Sequence, residues 1–189
     1  GNFGEVFRGV LWGSEVAVKL LLAEQEVLDA LKAERGSLHD ILYDHAKPMS
    51  VALRIKMALE TARGMCYLHN SRRNQIIHRD LKSHNLLITR DYSVKVADFG
   101  LTVVHARKTE VAAEEGDGSH FGVQGTPQWM APEVMEGQRY TGRVDVYSFG
   151  IVLCELWSRV LPFSDTYKRF DFIDAVLEEG AMPTIPPWC

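Results

Sequence analysis

Ile77-His78-Arg79-Asp80-Leu81-Lys82-Ser83-His84-Asn85, followed closely by Asp98-Phe99-Gly100, is the stretch on which the reading of this chain turns. The first segment presents Asp80, Lys82 and Asn85 on a loop with apolar edges. Leu86-Leu87-Ile88 then reads as a short strand, Arg90-Asp91 as a turn, and Val94-Lys95-Val96-Ala97 as a second strand that delivers Asp98. Two strands joined by a turn bring their far ends together, so Asn85 and Asp98 are expected to face one space. Two oxygen ligands there suit Mg²⁺, which prefers oxygen and usually keeps phosphates and water in its shell. Asp80 is suited to accept a proton from a hydroxyl, and Lys82 to neutralise charge on a phosphoryl group in transfer. Either tripeptide alone, His-Arg-Asp or Asp-Phe-Gly, would be ordinary turn chemistry. Their joint occurrence in this order points to phosphoryl transfer.

These residues resemble the signature set of protein kinases, and the resemblance covers nearly all of the chain. It implies an α+β, two-lobe fold with a reduced small β lobe and a mostly helical large lobe lacking its last helices. Residues 1–33 would be the remnant of the small lobe, with glycine-rich loop, strand lysine and αC-like helix. Residues 34–189 would be the large lobe, with catalytic loop and activation segment. The implied activity is transfer of the γ-phosphate of ATP, with Mg²⁺, to serine and threonine hydroxyls of proteins.

Composition is that of an ordinary soluble globular protein. Hydrophobic residues make up 46% and charged residues 24% of 189 positions. A net charge of −4 gives no reason to expect nucleic acid or an anionic membrane as partner. The most apolar run, Phe149 to Trp157, is too short to span a bilayer and is broken by Glu155. Cys66, Cys154 and Cys189 lie far apart without metal-ligand spacing, which suggests a reduced, intracellular and cytoplasmic setting. Nothing in the sequence addresses oligomeric state. Gly1 reads as the interior of a motif, so the chain reads as a fragment.

From the N-terminus, Gly1-Asn2-Phe3-Gly4-Glu5-Val6-Phe7, then Val10-Leu11-Trp12, a Gly13-Ser14 turn and Val16-Ala17-Val18-Lys19 read as strand, strand, turn, strand. Glycines allow close backbone approach to phosphates, although an ordinary hairpin would look similar. By resemblance Gly1 and Gly4 belong to the phosphate-covering loop, Val6 and Ala17 cover adenine, and Lys19 holds the α- and β-phosphates. Ala23 to Lys32 carries a helical stripe in which Glu24 fits the partner of that lysine. Here the chain departs from the family. Only four residues separate Lys19 from Glu24, and Lys32–Leu42 already resembles the segment beyond the kinase hinge. Two strands and the hinge are expected to be absent, leaving material for about three strands. A catalytically impaired interaction or regulatory module is therefore the alternative reading.

Further on, Ser50 can cap a helix running to about Leu68, with Ile55, Leu59, Ala62, Met65 and Cys66 on its core face. Asn70 to Gln75 reads as a polar turn. In the family the Leu87 position floors the adenine site, His78 is a core residue, and Arg79 can bind a phosphate on the following loop. That loop runs from Asp98 to Glu133, with an acidic middle, Glu110 to Gly118, expected to be mobile, and Thr102, Thr109 and Ser119 as candidate phosphorylation sites. Gly125-Thr126-Pro127-Gln128-Trp129-Met130-Ala131-Pro132-Glu133 resembles the substrate-docking end of an activation segment, in which Thr126 would bond Asp80 and Lys82. Lys82 and Thr126 favour the serine/threonine type, and Asp145-Val146-Tyr147-Ser148-Phe149-Gly150 is similar to the tyrosine-kinase-like group, which includes Raf and mixed-lineage kinases. Asp145 to Arg159 reads as a central helix with Val146, Phe149, Val152, Leu153 and Leu156 inward and Gly150 allowing close packing. Asp145 could accept backbone N–H bonds from the catalytic loop. Phe170 to Glu179 reads as a last helix closed by Gly180. The arginine that pairs with Glu133 in the family has no counterpart, so a buried Glu133 would be unpaired.

Overall fold

A computed structural model describes residues 5–11, 14–20, 34–70, 74–106, 125–164, 171–185 and 187. The architecture is α+β, with helices and three two-stranded antiparallel sheets among the described residues. The first sheet pairs β1 (Glu5–Leu11) with β2 (Ser14–Leu20). The two N-terminal strand segments expected from sequence are thus one strand, which runs straight through Gly9 opposite Val16.

Helix α1 (Leu38–Tyr43) begins at a complete capping box: Ser37 accepts from the Asp40 amide, and Asp40 accepts from the Ser37 amide. Gly36 immediately before it has φ +74, and a Cβ there would stand 2.5 Å from the Asp40 carboxylate, so the box itself requires glycine. Helix α2 (Val51–His69) starts at Ser50, whose hydroxyl accepts from the Leu53 amide at 3.2 Å. Its buried side is Met57, Thr61, Met65 and Leu68. Ile55 and Leu59 are about half exposed and Cys66 is exposed, which corrects the core face read from sequence. The helix carries apolar residues around much of its circumference, and Thr61, which returns its hydroxyl to the Met57 carbonyl at 2.8 Å, takes a core position that an apolar-only pattern skips.

Strand β3 (Asn74–Ile77) pairs with β6 (Val103–Ala106), while β4 (Leu86–Ile88) pairs with β5 (Val94–Val96). The turn read at Asn70–Gln75 therefore gives way to a strand from Asn74, whose partner lies beyond the Asp98-Phe99-Gly100 turn. Such short segments have no period of their own and become strands only on pairing.

After a short helical turn at Pro127–Trp129 come α3 (Pro132–Met135), α4 (Arg143–Ser158) and α5 (Asp171–Glu179). Helix α4 runs through the core. Its buried face is Val144, Asp145, Ser148, Ile151, Val152, Glu155 and Leu156, whereas Val146 is 61% exposed. A Cβ on Gly150 would meet nothing within 4 Å. Both findings correct the sequence reading, and the cause is the same: three polar residues occupy the inward face and displace the apparent apolar stripe. Helix α4 ends at Arg159 in the left-handed region (φ 57). The guanidinium of Arg159 donates to the Leu42, Lys47 and Asp44 carbonyls, closing the C-terminal end of α1. Arg54 does the same for α4, donating to the Leu156 and Trp157 carbonyls. The main core joins Leu38 and Leu42 of α1, Met57 of α2, Leu86 of β4, and Ile151 and Leu156 of α4.

Candidate functional site

The catalytic-loop stretch leaves β3 at Ile77 and is bent at once. Arg79 adopts φ 67, a left-handed conformation that costs a residue with a side chain roughly 1–2 kcal/mol. Asp145 holds the bend. Its two oxygens, 1% exposed, accept the amide of His78 at 2.8 Å and the amide of Arg79 at 2.9 Å, with His69 Nε2 also at 2.7 Å. His78 is fully buried, bonded through Nε2 to the Ala97 carbonyl at 3.0 Å and packed against Phe99, so its part is structural. Arg79 turns its guanidinium to the Tyr140 hydroxyl (2.9 Å) and to the Leu101 carbonyl.

The bend delivers Asp80 into a closed set of bonds. Lys82 Nζ donates to Asp80 Oδ2 at 2.7 Å and to Thr126 Oγ1 at 2.7 Å, and the Thr126 hydroxyl donates to Asp80 Oδ1 at 3.0 Å. Asn85 Nδ2 donates to the Asp80 carbonyl at 2.7 Å and to Oδ2 at 3.1 Å. Three residues from two distant segments thus converge on one carboxylate. Gly125 makes the approach possible: it has φ +127, and a Cβ there would stand 3.1 Å from Met130 Cε and 3.3 Å from the Arg79 carbonyl.

The β4–β5 pair sets the other half of the site. The Ala97 amide donates to the Asn85 carbonyl at 2.9 Å, extending the ladder by one step and bringing Asn85 and Asp98 to the same end. Asp98 is exposed, has φ 62, and accepts the Gly100 amide at 3.3 Å. Because Asn85 spends its amide nitrogen on Asp80, its oxygen lies on the opposite side of the group. That donor set, one amide oxygen and one accessible carboxylate, fits an oxygen-seeking ion that brings phosphates and water as its other ligands. Among the described residues no group of three or more His, Cys, Asp or Glu side chains gathers around a metal position.

Leu87 is buried in the middle of β4, opposite Lys95 and bridged to Ser37. Val6 is the register partner of Lys19, and Ala17 that of Arg8. Gly1, Gly4 and Glu24 lie outside the described residues, as do the 110–118 stretch, Thr109 and Ser119. Thr102 is described, and its hydroxyl is buried without a hydrogen-bond partner, a poor position for modification. Glu133 is only partly buried, so the premise of a buried orphan carboxylate there is not met.

Sequence reasoning passed over Glu155, entering it only as an interruption of an apolar run. The side chain is fully buried, accepting from Ser83 Oγ at 2.6 Å, Tyr43 OH at 3.0 Å and Trp129 Nε1 at 3.1 Å. Burial pushes its carboxyl up to about 7, against the pull of those three donors. A carboxylate on the apolar side of a helix was the available signal, since such groups stay buried only when bonded.

Residues 27–189 match the family model described as protein tyrosine and serine/threonine kinase. A probable serine/threonine-protein kinase of Dictyostelium discoideum is 39% identical over 98% of this chain and 33% of its own length. A serine/threonine-protein kinase of Arabidopsis thaliana is 35% identical over 98% of the chain and 37% of its own length. A dual specificity protein kinase of Dictyostelium discoideum is 33% identical over all of the chain and 41% of its own length. The chain thus spans 33–41% of the length of these relatives. The first alignment runs over 222 positions against 189 residues here, so that relative holds residues that this chain lacks.

Proposed function

The chain belongs to the protein tyrosine and serine/threonine kinase family, and on that premise we propose that it transfers the γ-phosphate of MgATP to serine and threonine hydroxyls of proteins. The observation that carries the reading is the closed set of bonds from Lys82, Thr126 and Asn85 to Asp80.

That geometry supports the roles of the residues it brings together, and the resemblance supplies the rest. Asp80 orients the acceptor hydroxyl and takes its proton, a contribution of roughly 10²–10⁴ in rate for a well-placed base. Lys82, already within 2.7 Å of the carboxylate, steadies the negative charge of the group in transfer without leaving its place. Thr126 ties the segment that would receive the acceptor peptide to the base, so acceptor and base arrive in one frame. Asn85 and Asp98 would hold Mg²⁺, which when bound neutralises charge on the phosphates. Lys19 and Glu24 are assigned to the remaining phosphates, with Gly1, Gly4, Val6, Ala17 and Leu87 around the nucleotide. We assign residues 1–33 to the small lobe and 34–189 to the large one. An ATP-using enzyme whose three cysteines lie far apart in sequence fits a reduced setting inside the cell, and we place it in the cytoplasm. No helix among the described residues is long and apolar enough to cross a membrane.

One observation favours a second reading, an interaction module with little or no turnover. Residues that a relative possesses are missing here, and the sequence reading puts that loss between Lys19 and Lys32, before the segment that resembles the far side of the hinge. Incubating the folded chain with MgATP and a mixed Ser/Thr protein substrate separates the two. The proposal expects phosphoserine and phosphothreonine that depend on added Mg²⁺. A folded chain that binds kinase substrates yet transfers nothing would leave the second reading in possession.

A further inference from the structure

Glu155 is bonded like a junction. Its three donors come from three separate segments: Tyr43 at the end of α1, Ser83 in the catalytic loop, and Trp129 in the segment before α3. Oε1 takes both hydroxyls and Oε2 takes the indole N–H. No lysine or arginine among the described residues pairs with it. Among the described residues the one ionisable base within 4.0 Å is His39, whose Nδ1 lies 3.9 Å from Oε1. That nitrogen is itself buried without a hydrogen-bond partner. The His39 ring stacks on His84 at 3.8 Å, and His84 meets Trp129 edge-on at 5.9 Å.

We propose that Glu155 is a positioning residue that works as a proton-operated tie: ionised, it locks Tyr43, Ser83 and Trp129 into one unit, and on taking up a proton it turns toward His39 and slackens the Trp129 segment against the catalytic loop. What the tie regulates, the fit of the acceptor peptide, rests on the kinase reading; the tie itself does not.

The chemistry is a count of donors and acceptors. An ionised carboxylate offers only acceptors and satisfies three donors at once. A proton on either oxygen adds a donor where three donors already converge, and that new O–H needs an acceptor. An imidazole carrying its proton on Nε2 supplies one at Nδ1, and His39 Nδ1 is the unpartnered acceptor at hand. Oε1 then reorients and gives up part of its hold on Ser83 and Tyr43. The balance lies near neutrality, because burial pushes the Glu155 carboxyl up to about 7.

The neighbouring groups do not preempt the switch. The Tyr43 hydroxyl is driven far up by burial and by Glu155, so it stays a donor. Burial lowers His39, against the charge of Asp40. Burial likewise lowers His84, helped by His39 and Lys82 and opposed by Asp40 and Asp80. Both rings are therefore neutral where Glu155 titrates. Ser83 and Trp129 carry no charge, and none of Asp40, Asp80 or Lys82 is bonded to Glu155.

The test follows the indole Nε1–H of Trp129 by ¹H–¹⁵N spectroscopy of the full chain, from about pH 5.5 to about pH 8.5, with Trp129→Phe to assign the signal. The signal should move with a midpoint near 7, and Glu155→Gln should hold it still. Ser83→Ala removes a donor that favours the ionised form and should raise the midpoint by roughly half a unit to one unit, which keeps the test available if Glu155→Gln does not fold. A signal flat across the range, or one that titrates unchanged in either variant, overturns the tie. In the transfer assay the KM for acceptor protein should rise several-fold below the same midpoint while the KM for ATP stays constant, and equal changes in both would overturn the regulatory role. A chain with no transfer would sink the kinase reading and leave the spectroscopic result to stand on its own.

Discussion

Asp145 and Glu155 leave the same helix three turns apart, are both buried, and both end against the catalytic loop, yet they hold it by opposite means. Asp145 grips backbone: the amides of His78 and Arg79, which would otherwise be orphaned at a left-handed bend. Glu155 grips side chains, two hydroxyls and an indole. A backbone grip fixes where the loop runs and admits no second state. A side-chain grip fixes what stands beside the loop, and its strength follows the charge on the carboxylate. One acid sets the frame and the other adjusts it.

The sharpest way to break this contrast is to remove the frame. Asp145→Ala leaves two amide donors without acceptors and should destabilise the fold by about 3–5 kcal/mol, read by denaturant unfolding. A loss under about 1 kcal/mol would mean that water or His69 can replace the carboxylate.

Next comes the pH profile. Glu155 releases its proton near 7 in the folded chain and near the ordinary glutamate value, about 4.5, in the unfolded one. Between those values the folded state keeps a proton that the unfolded state has lost. The contribution of Glu155 is thus greatest at low pH and declines as pH rises through that window, by roughly 3 kcal/mol in all. Glu155→Gln should flatten that part of the stability profile, and a slope that survives the substitution would assign it elsewhere.

Smaller still is the loss of one strand of the junction. Ser83→Ala should cost about 1–2 kcal/mol, a single hydrogen bond to a charged acceptor. Ser50→Ala, away from both acids, should cost about 1 kcal/mol through the cap of α2 alone and leave the pH profile unchanged. Equal effects on that profile from both serines would erase the distinction.

Much of the frame was legible in the sequence. Asp80, Lys82 and Asn85 stand at fixed spacing on one loop, Leu86–Ile88 and Val94–Val96 read as strands bounded by a turn, and Asp145 opens a helix of clear length. What escaped was decided by partners remote in sequence. The pairing of Asn74–Ile77 with Val103–Ala106 depends on a strand beyond the Asp98-Phe99-Gly100 turn. The inward faces of α2 and α4 include Thr61, Ser148 and Glu155, polar residues whose bonds form only in the folded chain, so an apolar count placed Ile55, Leu59 and Val146 inside when they lie outside. Ser148 shows the rule: its hydroxyl reaches the Trp129 carbonyl at 2.7 Å, across a gap in sequence that no local pattern reveals.

The most direct measurement is the single-turnover rate of γ-phosphate transfer from MgATP to a Ser/Thr protein by the native chain and by Asp80→Asn, with both shown to be folded by the same melting curve. The account predicts transfer by the native chain and a loss of about 10²-fold or more in the variant. Equal rates would contradict it, because the base around which Lys82, Asn85 and Thr126 converge would then take no part in the chemistry.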